Sequence, residues 1–171
     1  MNKKTQYILW AASCYMRYTK RCNLVALEAS ARLQDRGHRG DRADLLAVTN
    51  DKMLVECEIK VSISDLKADI KKEIHSDLKK DSNWKYPVHI FYFCIPYELW
   101  KEALEIINKD YPSAGLLCVC AQSGRRKRNK LPKIVVRKTA RIFYNKPKLT
   151  DNQIITFQRN MSNTICRQLK K

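Results

Sequence analysis

The segment LLAVTNDKMLVECEIKVS, residues 45 to 62, decides the fold because it predicts two β-strands joined by a short turn. Within it, Glu56, Glu58 and Lys60 fall at every second position, so a strand would project all three from one face. The alternate positions carry apolar side chains that suit a core: Val55, Cys57, Ile59 and Val61. Two carboxylates and an amine in a row on the remaining face therefore require an explanation.

The charge of the chain is strongly positive and unevenly distributed. The 171 residues include 34 Lys and Arg against 17 Asp and Glu, a formal net charge of +17. Such an excess favours a polyanionic partner, nucleic acid before membrane. Twelve of the seventeen acids nevertheless lie between Glu28 and Asp81, around the predicted strand. This clustering is compatible with a cation site, although acids also gather on solvated faces.

The cysteines and the amino-terminal segment both predict a cytoplasmic protein. The seven cysteines form no CxxC pair and lie mostly in apolar contexts, which is typical of reduced core cysteines. The apolar run near the start is only six to eight residues long and is soon followed by Arg17. It is too short for export or for a membrane span, so we expect an amphipathic helix there and no membrane partner.

Hydrophobic periodicity predicts ten elements in the order α-β-β-β-α-β-α-β-β-α. They occupy residues 3–20, 22–33, 42–50, 52–62, 64–80, 86–96, 97–109, 115–121, 133–138 and a helix containing 154–169. Ser64 is expected to cap the helix after the acidic strand, with Asp65 in its first turn. The segment 86–96 is apolar on both faces and is expected to be a central, buried strand. We therefore predict one α/β domain over residues 1–171.

The hairpin of residues 42–62 suggests a metal site. Neighbouring strands can bring Asp44 level with Glu58, with Lys60 one pleat further on the same face. Two carboxylates open to solvent would make half of a Mg²⁺ site, which waters and a phosphate would complete. A lysine two residues along could position or deprotonate an attacking water. The alternative is an exposed strand face that pairs its own charges.

The chain resembles the PD-(D/E)xK nuclease superfamily, and within it the MmcB-like putative DNA-repair endonucleases. The residues that carry the resemblance are Arg-Ala-Asp at 42–44, VECEIKVSISDLKADIKK at 55–72 and the aromatic strand HIFYFCIP at 89–96. The likeness covers roughly residues 22 to 142. It implies a restriction-endonuclease-like core, αβββαβ, with a mixed central sheet flanked by helices, followed here by a carboxy-terminal hairpin and helix.

The resemblance also assigns roles to residues. It implies that Asp44 and Glu58 bind Mg²⁺ or Mn²⁺ and that Lys60 serves the nucleophilic water. Glu28 is the candidate for the upstream acid that the superfamily often adds, and Ile59 is the remaining candidate at the metal. The chain departs from the pattern at residue 43, which is Ala instead of Pro, and at Glu56, an additional acid that either assists the metal or lies outside the cleft.

A basic segment, QSGRRKRNKLP at 122–132, predicts the nucleic-acid contact. Its position between two strands suits a loop that contacts phosphates. The residues concerned are Arg125, Arg126, Lys127, Arg128 and Lys130. Together these features predict a metal-dependent endonuclease acting on DNA in repair, recombination or phage DNA processing. A catalytically weak or inactive nucleic-acid-binding module of the same fold is the alternative. RNA as substrate and a homodimer both stay open.

Overall fold

One mixed six-stranded sheet organises the fold. The computed structural model describes residues 2–30, 42–69, 87–121 and 131–168. The strands are β1 (Leu24–Ser30), β2 (Arg42–Val48), β3 (Leu54–Ile59), β4 (Ile90–Pro96), β5 (Gly115–Val119) and β6 (Ile134–Lys138). They lie side by side in chain order; β3, β4 and β5 are parallel, and the other neighbouring pairs are antiparallel. The predicted α/β class, mixed sheet and carboxy-terminal hairpin are confirmed.

Helices cover both faces of this sheet. They are α1 (Lys3–Cys14), which continues as a π-helical turn (Tyr15–Thr19), α2 (Ile63–Asp69), α3 (Trp100–Asp110) and α4 (Asp151–Gln168). Helix α1 packs on the face that carries Cys57 and Ile59. The other three helices contribute to the core on the opposite face, where Leu46 and Phe93 lie. The described elements thus follow the predicted order, including the α-β-β-β-α-β run at the start.

Strand β4 is the centre of the sheet because it is apolar on both faces. All its residues except Ile90 are buried, and helices cover it from both sides. Continuous apolar sequence is what a parallel strand between two helical layers requires. The predicted buried strand is confirmed, but it begins at Ile90, since the side chain of His89, and not a backbone carbonyl, accepts the N–H of Leu54 at the start of β3.

Helix α2 begins two residues earlier than the sequence indicates. The Ser62 hydroxyl accepts the Asp65 N–H at 3.1 Å, and the Asp65 carboxylate accepts the Val61 N–H at 3.1 Å. The Ser62 hydroxyl thus caps the N–H of the third helical residue, and Ser62 is the N-cap, while the Asp65 carboxylate reaches back to the residue before it. The prediction of Ser64 was wrong because Ser64 lies inside the first turn, where its hydroxyl meets that of Ser62 at 2.9 Å.

Parts of the predictions fall outside the described residues. These include the end of the strand predicted over 22–33, the continuation of the helix after residue 69, and the whole basic loop, Arg125, Arg126, Lys127, Arg128 and Lys130. In the part of the chain that the structure describes, no helix combines the length and the apolar character needed to cross a membrane.

Candidate metal centre

Backbone pairing between β2 and β3 brings Asp44 and Glu58 together. The ladder pairs Leu45 with Cys57, so the next residues outward, Asp44 and Glu58, lie level with each other. Each carboxylate then accepts a hydrogen bond from the opposite strand. Glu58 Oε1 lies 3.3 Å from the Asp44 nitrogen, and Asp44 Oδ2 lies 2.8 Å from the Ile59 nitrogen. The hairpin that places these residues also orients their carboxylates.

Lys60 connects this hairpin to helix α2. Its Nζ lies 3.1 Å from Glu58 Oε2 and 2.7 Å from Asp69 Oδ1. An ammonium group has three N–H donors, and these two contacts use two of them. The backbone N–H of Lys60 donates to the Cys94 carbonyl at 3.0 Å, which fixes the lysine against the central strand β4.

The environment of Lys60 favours its charged form. Burial by itself lowers the pKa of the amine, but the attraction and hydrogen bonds of Glu58 and Asp69 outweigh it. The net effect raises the pKa above its ordinary value. Lys60 is therefore an ammonium group at neutral pH, which suits positioning a water or binding a phosphate oxygen better than deprotonating a water.

The site is much less open than the sequence suggests. Glu58 and Lys60 are each only 3% exposed and Asp69 is fully buried, whereas Asp44 is partly exposed. The expectation of two solvent-open carboxylates was therefore wrong for Glu58. The cause is the short connection after β3, which places α2 and its Asp69 directly against Lys60. The alternative of an exposed face pairing its own charges is also wrong, because the pairing takes place in the interior.

Among the described residues, Asp69 is the member of the site that the sequence predictions missed. It lies three positions after Leu66, so both project from the same face of α2. Both are fully buried. A carboxylate on the inward stripe of an amphipathic helix is an available signal, because a buried acid almost always has a partner.

Two further residues predicted for the metal site, Glu28 and Ile59, do not direct buried side chains at Asp44, Glu58 and Lys60. Glu28 lies between the pairs Leu27–Leu45 and Ala29–Ala43, and so is level with Asp44, but its side chain is exposed. Its φ of 50° is left-handed, which costs free energy for a residue with a side chain. Ile59 turns its side chain into the α1-side core, so only its backbone can belong to the site.

Glu56 lies one pleat further into the sheet. It is 1% exposed, with Leu46 and Phe91 as its partners in the neighbouring strands. Both neighbours belong to the core on the α2 side. Glu56 therefore lies beneath the helical layer and away from the partly exposed end of the hairpin that Asp44 occupies.

The donor set fits a hard divalent cation that brings its own water. Asp44 and Glu58 offer carboxylate oxygens, each carboxylate has about four lone-pair sites, and the hydrogen bonds above orient these groups. Among the described residues, no three Asp, Glu, His or Cys side chains are grouped to hold one ion. Mg²⁺ commonly binds through one or two carboxylates plus waters and substrate phosphates, so a two-carboxylate site suits it.

Comparison with known proteins identifies a fold and no function. No protein-family model matches the chain, and no curated protein matches it. Among solved structures, it is similar to the SPO1766 protein of Silicibacter pomeroyi, which is described as a protein of unknown function. The two share 15% sequence identity with a TM-score of 0.60, over 99% of this chain and 90% of the other. At that identity the likeness establishes a shared α/β fold and nothing more.

Proposed function

We propose that this protein is a nuclease that depends on Mg²⁺ or Mn²⁺ and hydrolyses phosphodiester bonds of DNA. One observation carries the proposal. In a chain with a net charge of +17, two carboxylates, those of Glu58 and Asp69, contact a single buried ammonium, and a third, that of Asp44, lies on the neighbouring strand level with Glu58. A local excess of negative charge in a basic protein suits a bound cation, while the remaining positive charge suits the phosphate backbone.

The roles follow from the contacts. Asp44 and Glu58 would hold the metal, because both are oriented by backbone N–H groups at the partly exposed end of the hairpin. The bound metal would supply Lewis-acid stabilisation of the charge that develops on the scissile phosphate. Lys60 would use its third N–H to position the attacking water or a phosphate oxygen, because its other two are directed at Glu58 and Asp69.

The basic loop is assigned to substrate binding. Arg125, Arg126, Lys127, Arg128 and Lys130 have no acid near them in sequence, so they would neutralise phosphates without reading bases. The cytoplasm is the proposed location, since all seven cysteines are free and five of them are buried.

A second candidate function is binding without cleavage. It is favoured by the 3% exposure of Glu58 and Lys60, which leaves little room for a substrate to reach both groups. A nucleic-acid-binding module of this fold would keep the charges as an internal ion-pair network. The two candidates differ in whether metal binds and whether it supports cleavage.

Metal-dependent unfolding tests the site. Saturating Mg²⁺ or Mn²⁺ at 100 times its Kd should stabilise the wild type by about 2.7 kcal/mol. Asp44→Asn and Glu58→Gln should each remove most of this stabilisation. Glu102→Gln is a suitable control, because Glu102 forms an exposed ion pair with Lys67 at 3.1 Å on the surface. Equal metal stabilisation in all four proteins would contradict the site.

A further inference from the structure

Lys60 has two anionic partners on two different elements. Glu58 belongs to β3, which ends one residue before Lys60, whereas Asp69 comes from helix α2. The contact with Asp69 is the shorter, at 2.7 Å against 3.1 Å, and Asp69 is the more deeply buried of the two acids. Asp69 therefore has no access to solvent, and its carboxylate is directed at the ammonium group.

The Glu58 carboxylate cannot bind a metal ion and the Lys60 ammonium with equal strength at the same time. A cation bound by Glu58 competes with the ammonium for the same carboxylate and repels it. Asp69 offers the ammonium a second carboxylate that stays in place when Glu58 turns toward a metal. Without Asp69, the only partner that these contacts leave for the charge of Lys60 is Glu58.

We propose that Asp69 is a positioning residue that holds the Lys60 ammonium and so leaves Glu58 available to the metal. The inference rests on the proposed metal site and extends it to a residue on α2. Asp69 acts through Lys60 and touches neither metal nor substrate. Its removal should therefore weaken metal binding and slow cleavage, while affinity for DNA stays unchanged.

The fixed position of α2 supports this role. The hydrogen bonds that Ser62 and Asp65 accept anchor the first turn of the helix to the short connection after β3. Leu66 packs in the core and the exposed pair of Lys67 with Glu102 connects α2 to α3. The described part of the helix that carries Asp69 is thus held at its start and by contacts of Leu66 and Lys67.

Mn²⁺ calorimetry on the full chain tests the proposal. Asp69→Asn should lower Mn²⁺ affinity by roughly 10- to 100-fold, the usual effect of removing a group that orients a metal ligand. Asp69→Glu, which keeps a carboxylate, should recover part of that loss. Asp65→Asn is the matched control on the same helix, because an amide oxygen can still accept the Val61 N–H, and it should bind Mn²⁺ as the wild type does.

A double-mutant cycle separates positioning from simple charge attraction. In a Lys60→Met background, Asp69→Asn should change Mn²⁺ affinity by less than about twofold, since the ammonium that Asp69 holds is gone. The double variant leaves one buried carboxylate, that of Glu58, without its cation, whereas Lys60→Met alone leaves two. An equal loss in both backgrounds would mean that Asp69 attracts the metal directly, and would overturn the proposal.

Activity provides the second measurement. Asp69→Asn should lower kcat for DNA cleavage with little change in KM, because the substrate-binding residues are untouched. A wild type that binds no Mn²⁺ would refute the proposed function, and this inference with it. If the wild type binds Mn²⁺ and the Asp69→Asn variant binds it equally tightly, this inference alone is refuted.

Discussion

Lys60 is the residue on which the site depends most, because its ammonium is the cation that contacts two carboxylates in the interior. Lys60→Met should destabilise the metal-free protein by about 3–5 kcal/mol, since it leaves Glu58 and Asp69 buried without their cation. Lys67→Met is the control: its pair with Glu102 is 3.1 Å long but more than half exposed, so its loss should cost no more than about 1 kcal/mol. Urea unfolding in the presence of a chelator measures both. Equal costs would show that the buried network contributes little.

His89 makes the stability of the protein depend on pH. Its Nδ1 accepts the Leu54 N–H at 3.1 Å, and burial lowers its pKa below the ordinary value. In the folded protein, His89 therefore binds a proton less readily than in the unfolded chain, where histidine is protonated below about pH 6.5. The contribution of His89 to stability should therefore be full well above that pH and fall as the pH drops through about 6.5 toward 5.5, by up to about 1.4 kcal/mol per pH unit.

The variant His89→Asn isolates this effect. An amide oxygen can accept the same Leu54 N–H but does not take up a proton in this range. The variant should show a flatter dependence of unfolding free energy on pH between 7 and 5.5, measured by urea unfolding at each pH. A slope as steep as that of the wild type would assign the dependence to other groups.

Among the secondary-structure elements, helix α2 begins where it does because one hydroxyl group, that of Ser62, caps it. Ser62→Ala removes the acceptor for the Asp65 N–H and should cost about 1 kcal/mol. Ser64→Ala should cost less, because Ser64 bonds only the hydroxyl of Ser62 among the described contacts. Thermal unfolding of the two variants compares their losses of stability. A larger loss in Ser64→Ala than in Ser62→Ala would identify Ser64 as the N-cap.

The secondary-structure elements and the faces on which their side chains lie were predictable wherever the hydrophobic periodicity of the sequence determines them. Alternation placed Asp44, Glu58 and Lys60 on one face, because side chains of a strand repeat every two residues and the hairpin sets the register. Asp69 was missed because its role depends on how α2 folds back onto the sheet. The burial of Glu58 was missed for the same reason, since exposure is a property of the packed layers and not of a strand. The left-handed φ of Glu28 has no marker in the sequence, where Gly or Asn would indicate it.

At the scale of the whole molecule, positive charge should govern substrate affinity. Replacing Arg125, Arg126 and Arg128 with Gln should reduce the slope of log affinity against log salt by roughly 2 to 3, at about 0.9 for each lost duplex-phosphate contact. The effect should not depend on DNA sequence, and metal binding should be unchanged. DNA binding across a salt series in Ca²⁺ measures it. An unaltered slope would move the contact to the basic amino-terminal group: Lys3, Lys4, Arg17, Lys20 and Arg21.

Cleavage of nucleic acid tests the central claim most directly. Purified protein should be incubated with Mg²⁺ or Mn²⁺ and a set of labelled single-stranded, duplex, flapped and branched DNAs, with matched RNAs, under single-turnover conditions. The wild type should cut at least one DNA, and Lys60→Met should slow that cut by about 10²–10³-fold, comparable to the loss of one preorganised charge-stabilising donor. Lys67→Met should cut at the wild-type rate. No metal-dependent cut of any substrate, or equal rates for the wild type and Lys60→Met, would contradict the assignment of a nuclease site to Asp44, Glu58 and Lys60.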